Sequence, residues 1–444
     1  MLCIATPFSL HHGGKTMQNF DYRTPTRLIS GKGSIAELPD ALRPLAKLPP
    51  YSSFRESSDR KKAMKHLNCF LMGLAVFALF ILAGCSSVDS GSKVRVSDFK
   101  VKRGTNLSHW FSQTPVRGAA RAARVTEDDF IRLKEFGFDH VRIPIDEEQF
   151  WDDNGNKLTD AWELLDSSIK LALKHELRVI VDLHIIRSFY FNATIEGNDT
   201  NTLFTEEKSQ EQLLNLWKEL SAALKGFSTD WVAYEFLNEP VADDPEQWNK
   251  LIVKVHKTLR QLEPERVLVI GSNMWQDVDT FKDLKIPKGD KNILLSFHYY
   301  KPMAVTHYRA SWNPVGKYYG QIHYPGIVIA QADFDKMPEA QKETFQPFTT
   351  NWDRSVLREQ ILQAVTVAKK LGLPLFCGEW GVISSSPREP AYNWYRDMIS
   401  VFDEFDIGWT TWNYDSGFGF WNPYSKQVSD KTMLEILTSG KGLK

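Results

Sequence analysis

From residue 101 onward the chain alternates short apolar runs with segments of helical periodicity. The runs lie at 102–107, 139–145, 178–184, 231–237, 267–271, 293–298, 374–379 and 407–413. They are apolar and β-rich, as in Arg178-Val-Ile-Val-Asp-Leu-His184. Helical patterns fall near 126–136, 160–175, 208–225, 246–262, 355–371, 389–404 and 430–440. Thr126 followed by Asp129 opens the first of them with a capping pattern. Strands alternating with helices predict parallel βαβ units. Eight strands in about 340 residues predict an α/β fold, a single (β/α)8 TIM barrel with insertions. An open doubly wound sheet is the competing arrangement. No glycine-rich turn follows the first strand, which counts against dinucleotide binding. Two connections are long, 185–207 and about 301–353. The second holds Tyr308, Trp312, Tyr318, Tyr319, Tyr324 and Trp352, too many aromatics for a loose tether.

Residues 1–100 have a different character. The whole chain is 444 residues at net charge −1, with 54 Lys+Arg and 55 Asp+Glu. The first hundred residues carry 14 Lys+Arg against 7 Asp+Glu, net +7, so the remainder is net −8. All 14 tryptophans follow residue 100. An acidic, Trp-rich body excludes a nucleic-acid partner, which would require a basic patch. Arg60, Lys61, Lys62 and Lys65 precede an uncharged run, Leu67 to Leu82. At about 16 residues it is short of the roughly 20 of a spanning helix. Basic residues, an apolar stretch and small residues in that order read as an export signal. Its end, Leu82-Ala83-Gly84-Cys85, resembles a bacterial lipoprotein box, which implies lipidation at Cys85. The expected organisation is an N-terminal extension (1–63), a lipoprotein signal (64–85) with Met64 as a plausible start, a polar tether (86–100) and one catalytic domain (101–444). The expected location is the bacterial cell envelope through a lipid anchor, or the medium. Residues 17–42 resemble the opening of an iron-dependent alcohol dehydrogenase but contain none of that family's metal ligands.

The chemistry gathers at strand ends, which in such a barrel converge on one rim. Arg142 lies near the end of strand two and His184 at the end of strand three. Asn238-Glu239-Pro240 follows strand four, and His298 and Tyr300 close strand six. Glu379 closes strand seven and Trp412 strand eight. Two carboxylates among Arg, His, Tyr and Trp suggest glycoside hydrolysis. That reaction needs one acid that keeps its proton and one ionised carboxylate. Arg142 and Tyr300 are suited to hold Glu379 ionised, leaving Glu239 as acid/base. Asn238 can bond a sugar 2-hydroxyl, His184 and His298 can orient groups or contact hydroxyls, and Trp412 can stack on a sugar. His109 and Trp110, after strand one, are further candidates for substrate contact. Asp182 reads as structural, and Trp217, Trp248 and Trp394 read as packing. Cys377 reads as a small buried apolar residue. No HExxH spacing and no GxSxG elbow occur, so no metal or cofactor is implied.

These motifs, Arg142-Ile-Pro, Asp182-Leu-His184, Asn238-Glu239-Pro240, His298-x-Tyr300, Gly378-Glu379-Trp380-Gly381 and Trp412-Asn413, occur in chain order. Together they resemble glycoside hydrolase family 5, the cellulase family of the retaining (β/α)8 clan, over about residues 101–444. The resemblance implies Glu239 as acid/base and Glu379 as nucleophile. Arg142, His184, Asn238, His298, Tyr300 and Trp412 complete the family's eight. It implies an endo-acting, monomeric β-glucanase on β-1,4 linkages of cellulose-like or mixed β-1,3/1,4-glucan. Mannanase, glucomannanase and xyloglucanase activities use the same residues. A noncatalytic glycan-binding surface lipoprotein is the alternative of another class.

Overall fold

A computed structural model describes residues 94–193 and 201–439. The N-terminal extension with its dehydrogenase-like stretch, the export signal with Cys85, and the first part of the tether lie outside the described residues.

Eight parallel strands close into a barrel: β1 (Arg103–Asn106), β2 (His140–Asp146), β3 (Arg178–Ile185), β4 (Val232–Glu235), β5 (Leu268–Gly271), β6 (Ile293–Tyr299), β7 (Leu375–Trp380) and β8 (Gly408–Thr411). Around the ring the order is β1-β8-β7-β6-β5-β4-β3-β2. Each corresponds to one of the apolar runs. The reason is burial on both faces: every residue of β2, β6 and β7 is buried. Such strands read as continuous apolar runs.

Among the described residues, seven longer helices surround the barrel: α1 (Glu127–Glu135), α2 (Thr159–Lys174), α3 (Glu207–Leu224), α4 (Pro245–Leu262), α5 (Arg354–Leu371), α6 (Arg388–Phe405) and α7 (Lys431–Ser439). The backbone N–H of Thr126 donates to the Asp129 carboxylate at 2.9 Å, so the expected capping pattern opens α1. α5 stops at Gly372, whose φ of 63° suits a residue without Cβ. No long helix follows β5. A 3-10 helix, Val278–Asp283, covers that part of the barrel instead.

The domain starts earlier than its apolar pattern. Residues read as the end of the tether are bonded to the barrel. Arg95 pairs with Asp230 and Glu265 at 2.9 Å, and the Asn292 carboxamide accepts from the Ser97 amide at 2.7 Å. Phe99 and Val101 pack against Ile180, Val267 and Phe376. Polar residues dominate 93–98, so the attachment leaves no hydrophobic signature.

The long connection after β6 is a packed insert. Tyr308, Tyr318, Tyr324, Phe334, Phe345, Phe348 and Trp352 are all buried. Gly326–Ile327 pairs antiparallel with Asn351–Trp352 across it. The aromatics of this connection therefore serve mainly as its own core.

Candidate active site

The site is built around Arg142. This residue is not at the end of its strand but third in β2, deeper than its sequence position suggested. Its guanidinium is fully buried and spends its donors on several acceptors. Nε donates to Glu235 at 2.7 Å and Nη1 to Asn106 at 2.9 Å. Nη1 also donates to Glu379 Oε1 at 2.8 Å, and Nη2 to Asn238 Oδ1 at 2.9 Å. Asp182 lies 3.0 Å from Nη2. A rigid guanidinium fork is suited to fixing several oxygens at once.

Parallel register brings these partners to one level. Asn106 lies beside Arg142, and Asp182 beside Glu235. A register shift after Phe297 sets His298 level with Glu379. Gly378 lets them approach: a Cβ there would stand 3.0 Å from His298 Nε2 and 2.9 Å from Ser296 Oγ.

The two carboxylates named from the sequence face each other. One oxygen of Glu239, one of Glu379 and one nitrogen of His298 all lie within 4.8 Å of one another. That spacing could also hold a cation. His298 Nδ1 is 2.8 Å from Glu239 and 3.7 Å from Glu379. The Tyr300 hydroxyl donates to Glu379 Oε2 at 3.1 Å. Glu379 therefore has Arg142 on one oxygen and Tyr300 on the other. Among the described residues, the ion-pair partner of Glu239 is His298, not a Lys or Arg.

Electrostatics separates the pair. Burial pushes the Glu239 carboxyl well above its ordinary range, and the charge of Glu379 pushes it further. Burial also raises Glu379, but the adjacent Arg142 opposes that rise. Burial drives His184 down to about 3 and His298 well below its ordinary value, so both rings are neutral at pH 7. Burial lifts Asp182 to about 7 against the opposing charge of Arg142.

His184 donates or accepts through Nδ1 with Asp182 at 2.7 Å, and its ring lies parallel to that of Trp412 at 5.7 Å. His184 Nε2 and Asn238 Nδ2 are buried and find no partner among the described residues. Asp182 is the structural residue expected: it holds His184 and Arg142.

Trp110 is a correction. Its indole is fully buried, packs at 4.4 Å on Phe111 and donates to the Arg121 carbonyl at 2.9 Å. It belongs to the core. Its neighbour His109 is half-buried with a ring 6.1 Å from Trp412. Trp217, Trp248 and Trp394 are buried as expected of packing residues, and Cys377 is a buried thiol that donates to the Glu379 carbonyl at 3.3 Å.

The sequence reading missed Glu235, Asn106 and Gln276. Glu235 is fully buried, bonded to Arg142, and accepts from Gln276 Nε2 at 3.1 Å. Its signal was present: an acid inside the apolar run Val232-Ala-Tyr-Glu235 needs a buried partner. His307, on the insert, was also missed; its ring meets Tyr300 at 5.0 Å.

The family model for cellulase, glycosyl hydrolase family 5, matches residues 96–417. The chain belongs to glycosyl hydrolase family 5. Endoglucanase C of Acetivibrio thermocellus is 31% identical over 345 residues, covering 77% of this chain and 98% of that relative. Cellodextrinase A of Ruminococcus flavefaciens is 29% identical over 307 residues, 69% of this chain and 83% of its own. The crystal structure of endoglucanase Cel5A from the hyperthermophilic Thermotoga maritima matches with a TM-score of 0.61 at 25% identity, covering 76% of this chain and 96% of that one. In this family 5 barrel six of the eight residues singled out by sequence resemblance gather around the other two, the facing carboxylates Glu239 and Glu379.

Proposed function

We propose that this family 5 glycoside hydrolase is a retaining, endo-acting β-glucanase that cleaves β-1,4 linkages by double displacement. The observation that carries the mechanism is the close approach of Glu239 and Glu379, with oxygens within 4.8 Å. Retaining enzymes hold their carboxyls roughly 5–5.5 Å apart, whereas inverting ones need about 6.5–9.5 Å to admit a water between.

The roles follow from the surroundings. Glu379, next to Arg142 and Tyr300, supplies the electron pair. It attacks the anomeric carbon as the bond to the leaving glycan oxygen breaks. Glu239 gives its proton to that oxygen. Once Glu379 is esterified its charge is gone, and the field that kept Glu239 protonated weakens. Glu239 then takes a proton from water, the water oxygen attacks the anomeric carbon, and Glu379 leaves as carboxylate. Asn238 Nδ2 and His184 Nε2 supply unpaired polar atoms for sugar hydroxyls. Trp412 supplies an indole face. Because the acid must be protonated, kcat/KM falls as pH rises through the elevated value of Glu239. The basic limb therefore lies above the ordinary glutamate value of 4.5.

Glucan as substrate and internal cleavage are supported by the names of the relatives and by the insert beside the site. The test compares carboxymethylcellulose, barley mixed-linkage glucan, glucomannan, xyloglucan and mannan. Viscosity should fall ahead of reducing-sugar release, fastest on the first two. Release from mannan or xyloglucan alone would overturn the glucan assignment. Binding without release from any polymer would favour a noncatalytic glycan-binding lipoprotein.

We also infer export and lipid anchoring at Cys85, from the ordered basic, apolar and small-residue segments before it. In a bacterial host fed an alkyne fatty acid, the full chain should carry the label and Cys85→Ser should lose it. Equal labelling of both would refute the anchor.

A further inference from the structure

The backbone of Glu239 is left-handed, with a φ of 46°. That conformation is uncommon for a residue with a Cβ, and Pro240 next to it favours an extended predecessor. Such a backbone persists only where its surroundings over-determine it. It also sets the direction in which the Glu239 side chain leaves the chain.

The surroundings responsible lie on the turn after β5. Met274, Trp275 and Gln276 are themselves left-handed in succession, with φ of 51°, 59° and 56°. This turn bonds the chain on both sides of Glu239. Before it, Gln276 Nε2 donates to the Glu235 carboxylate at 3.1 Å and to the Leu237 carbonyl at 3.4 Å. After it, the Trp275 N–H donates to the Pro240 carbonyl at 3.2 Å. The Asn273 carboxamide then takes both backbone groups of Ala242. Its Oδ1 accepts from the Ala242 N–H at 2.8 Å, and its Nδ2 donates to the Ala242 carbonyl at 2.7 Å. Asn273 and Ala242 are both buried, so water competes little for these bonds. The turn is also tied to itself. The Ser272 hydroxyl donates to the Asp277 carbonyl at 2.9 Å, and the Thr280 hydroxyl to the Asn273 carbonyl at 2.7 Å. Gly271 leaves room for Gln276, whose side chain a Cβ there would overlap.

We propose that Asn273 is a positioning residue for the acid/base: its two bonds to Ala242 hold the chain past Glu239 on the path that keeps the Glu239 carboxyl aimed at the leaving oxygen. This deepens the mechanistic reading and rests on Glu239 being the acid/base. A carboxamide suits the task, because it offers an acceptor and a donor in one plane to the N–H and C=O of a single residue. Without it, both groups of Ala242 lose their partner in the interior, and residues 240–242 relax to regain one. Glu239 then moves away from the leaving oxygen. Glu379 stays in place, because Arg142 and Tyr300 hold it from other strands. The damage therefore falls on proton transfer and spares nucleophilic attack.

The experiment measures kcat/KM on aryl β-cellobiosides whose leaving phenols are graded in acidity, or on the mannobiosides should mannan prove the substrate. Dinitrophenol departs without a proton, whereas phenol needs one. Asn273→Ala should lose roughly 100-fold on the phenyl glycoside and no more than about 3-fold on the dinitrophenyl glycoside. On the latter kcat should still fall, because Glu239 is the base of the second step. Asn273→Asp keeps the size of the side chain and the bond accepted from Ala242, and loses the donated one. It should show the same trend at smaller amplitude, and it decides the matter if the alanine variant does not fold. Equal losses across the series, or none, would overturn the proposal. Glu239→Ala is the control. If it lacks the leaving-group dependence, the acid/base reading fails and this proposal with it. If it shows the dependence and the Asn273 variants do not, the role of Asn273 alone is refuted.

Discussion

Replacing Glu379 by alanine should lower kcat on carboxymethylcellulose by about 10⁴-fold or more, because the variant has no group to form the glycosyl-enzyme bond. The consequence is distinctive. The side chain lost stands between Arg142 and Tyr300, at 2.8 Å and 3.1 Å. Azide can enter that space and attack the anomeric carbon directly. Glu239 still protonates the leaving oxygen, so azide should restore turnover and give a glycosyl azide of inverted configuration. Glu239→Ala should behave differently. On a dinitrophenyl cellobioside the leaving group needs no proton, so the first step survives. The second step slows for want of a base, and a burst of dinitrophenol should precede slow turnover. The reverse assignment, with Glu239→Ala giving the inverted azide product, would refute these roles.

Arg142→Leu is expected to be the most damaging single change to stability. Among the described residues, its guanidinium is the only Lys or Arg group in contact with Asp182, Glu235 and Glu379. Removing one partner of a buried ion network costs about 3–5 kcal/mol, since the remaining charges stay buried and uncompensated. The cost depends on pH in a defined direction. Without the cation the three acids hold their protons to higher pH, so the folded variant binds more protons than the folded wild type. Its stability then falls more steeply as pH rises. In the wild type Asp182 already sits at about 7 rather than 3.8. The deficit should therefore be smallest near pH 4 and largest above pH 7. Urea unfolding of both proteins at those two pH values measures it. A deficit independent of pH would mean that lost packing, not charge, is responsible. Activity at neutral pH should vanish as well, because Glu379 would keep a proton.

Much of the fold was legible because barrel strands are buried on both faces. A run such as Val179-Ile-Val181 has no solvent side to interrupt it. Helix α1 announced itself through Thr126 and Asp129, a local hydrogen-bond pattern that needs no tertiary context. The identities of the facing acids were legible too, since Glu239 and Glu379 follow apolar strands whose ends must share one rim. Trp110 shows where this fails. Sequence neighbours of a rim residue can point inward, and only packing tells which: His109 reaches the rim while Trp110 turns into the core against Phe111. The insert shows the same limit. Its aromatic content indicated order, but not that Tyr308, Tyr318 and Trp352 are buried while Trp312 faces solvent.

By itself, then, the sequence determined the alternation of elements, the barrel they close into, and the carboxylates just past strand four and near the end of strand seven. These depend on local periodicity and on the rule that parallel strands present their ends together. Only the tertiary structure decided the contacts that each carboxylate makes. Arg142 and Tyr300 reach Glu379 at 2.8 Å and 3.1 Å, whereas Glu239 meets His298 at 2.8 Å. That difference supports the roles proposed for the two. It arises from register and side-chain direction between strands hundreds of residues apart in some cases, as between Arg142 and Glu379 at a separation of 237. The strand-end motifs pointed to that pairing, but its distance and strength exist only once the barrel has excluded water from both groups.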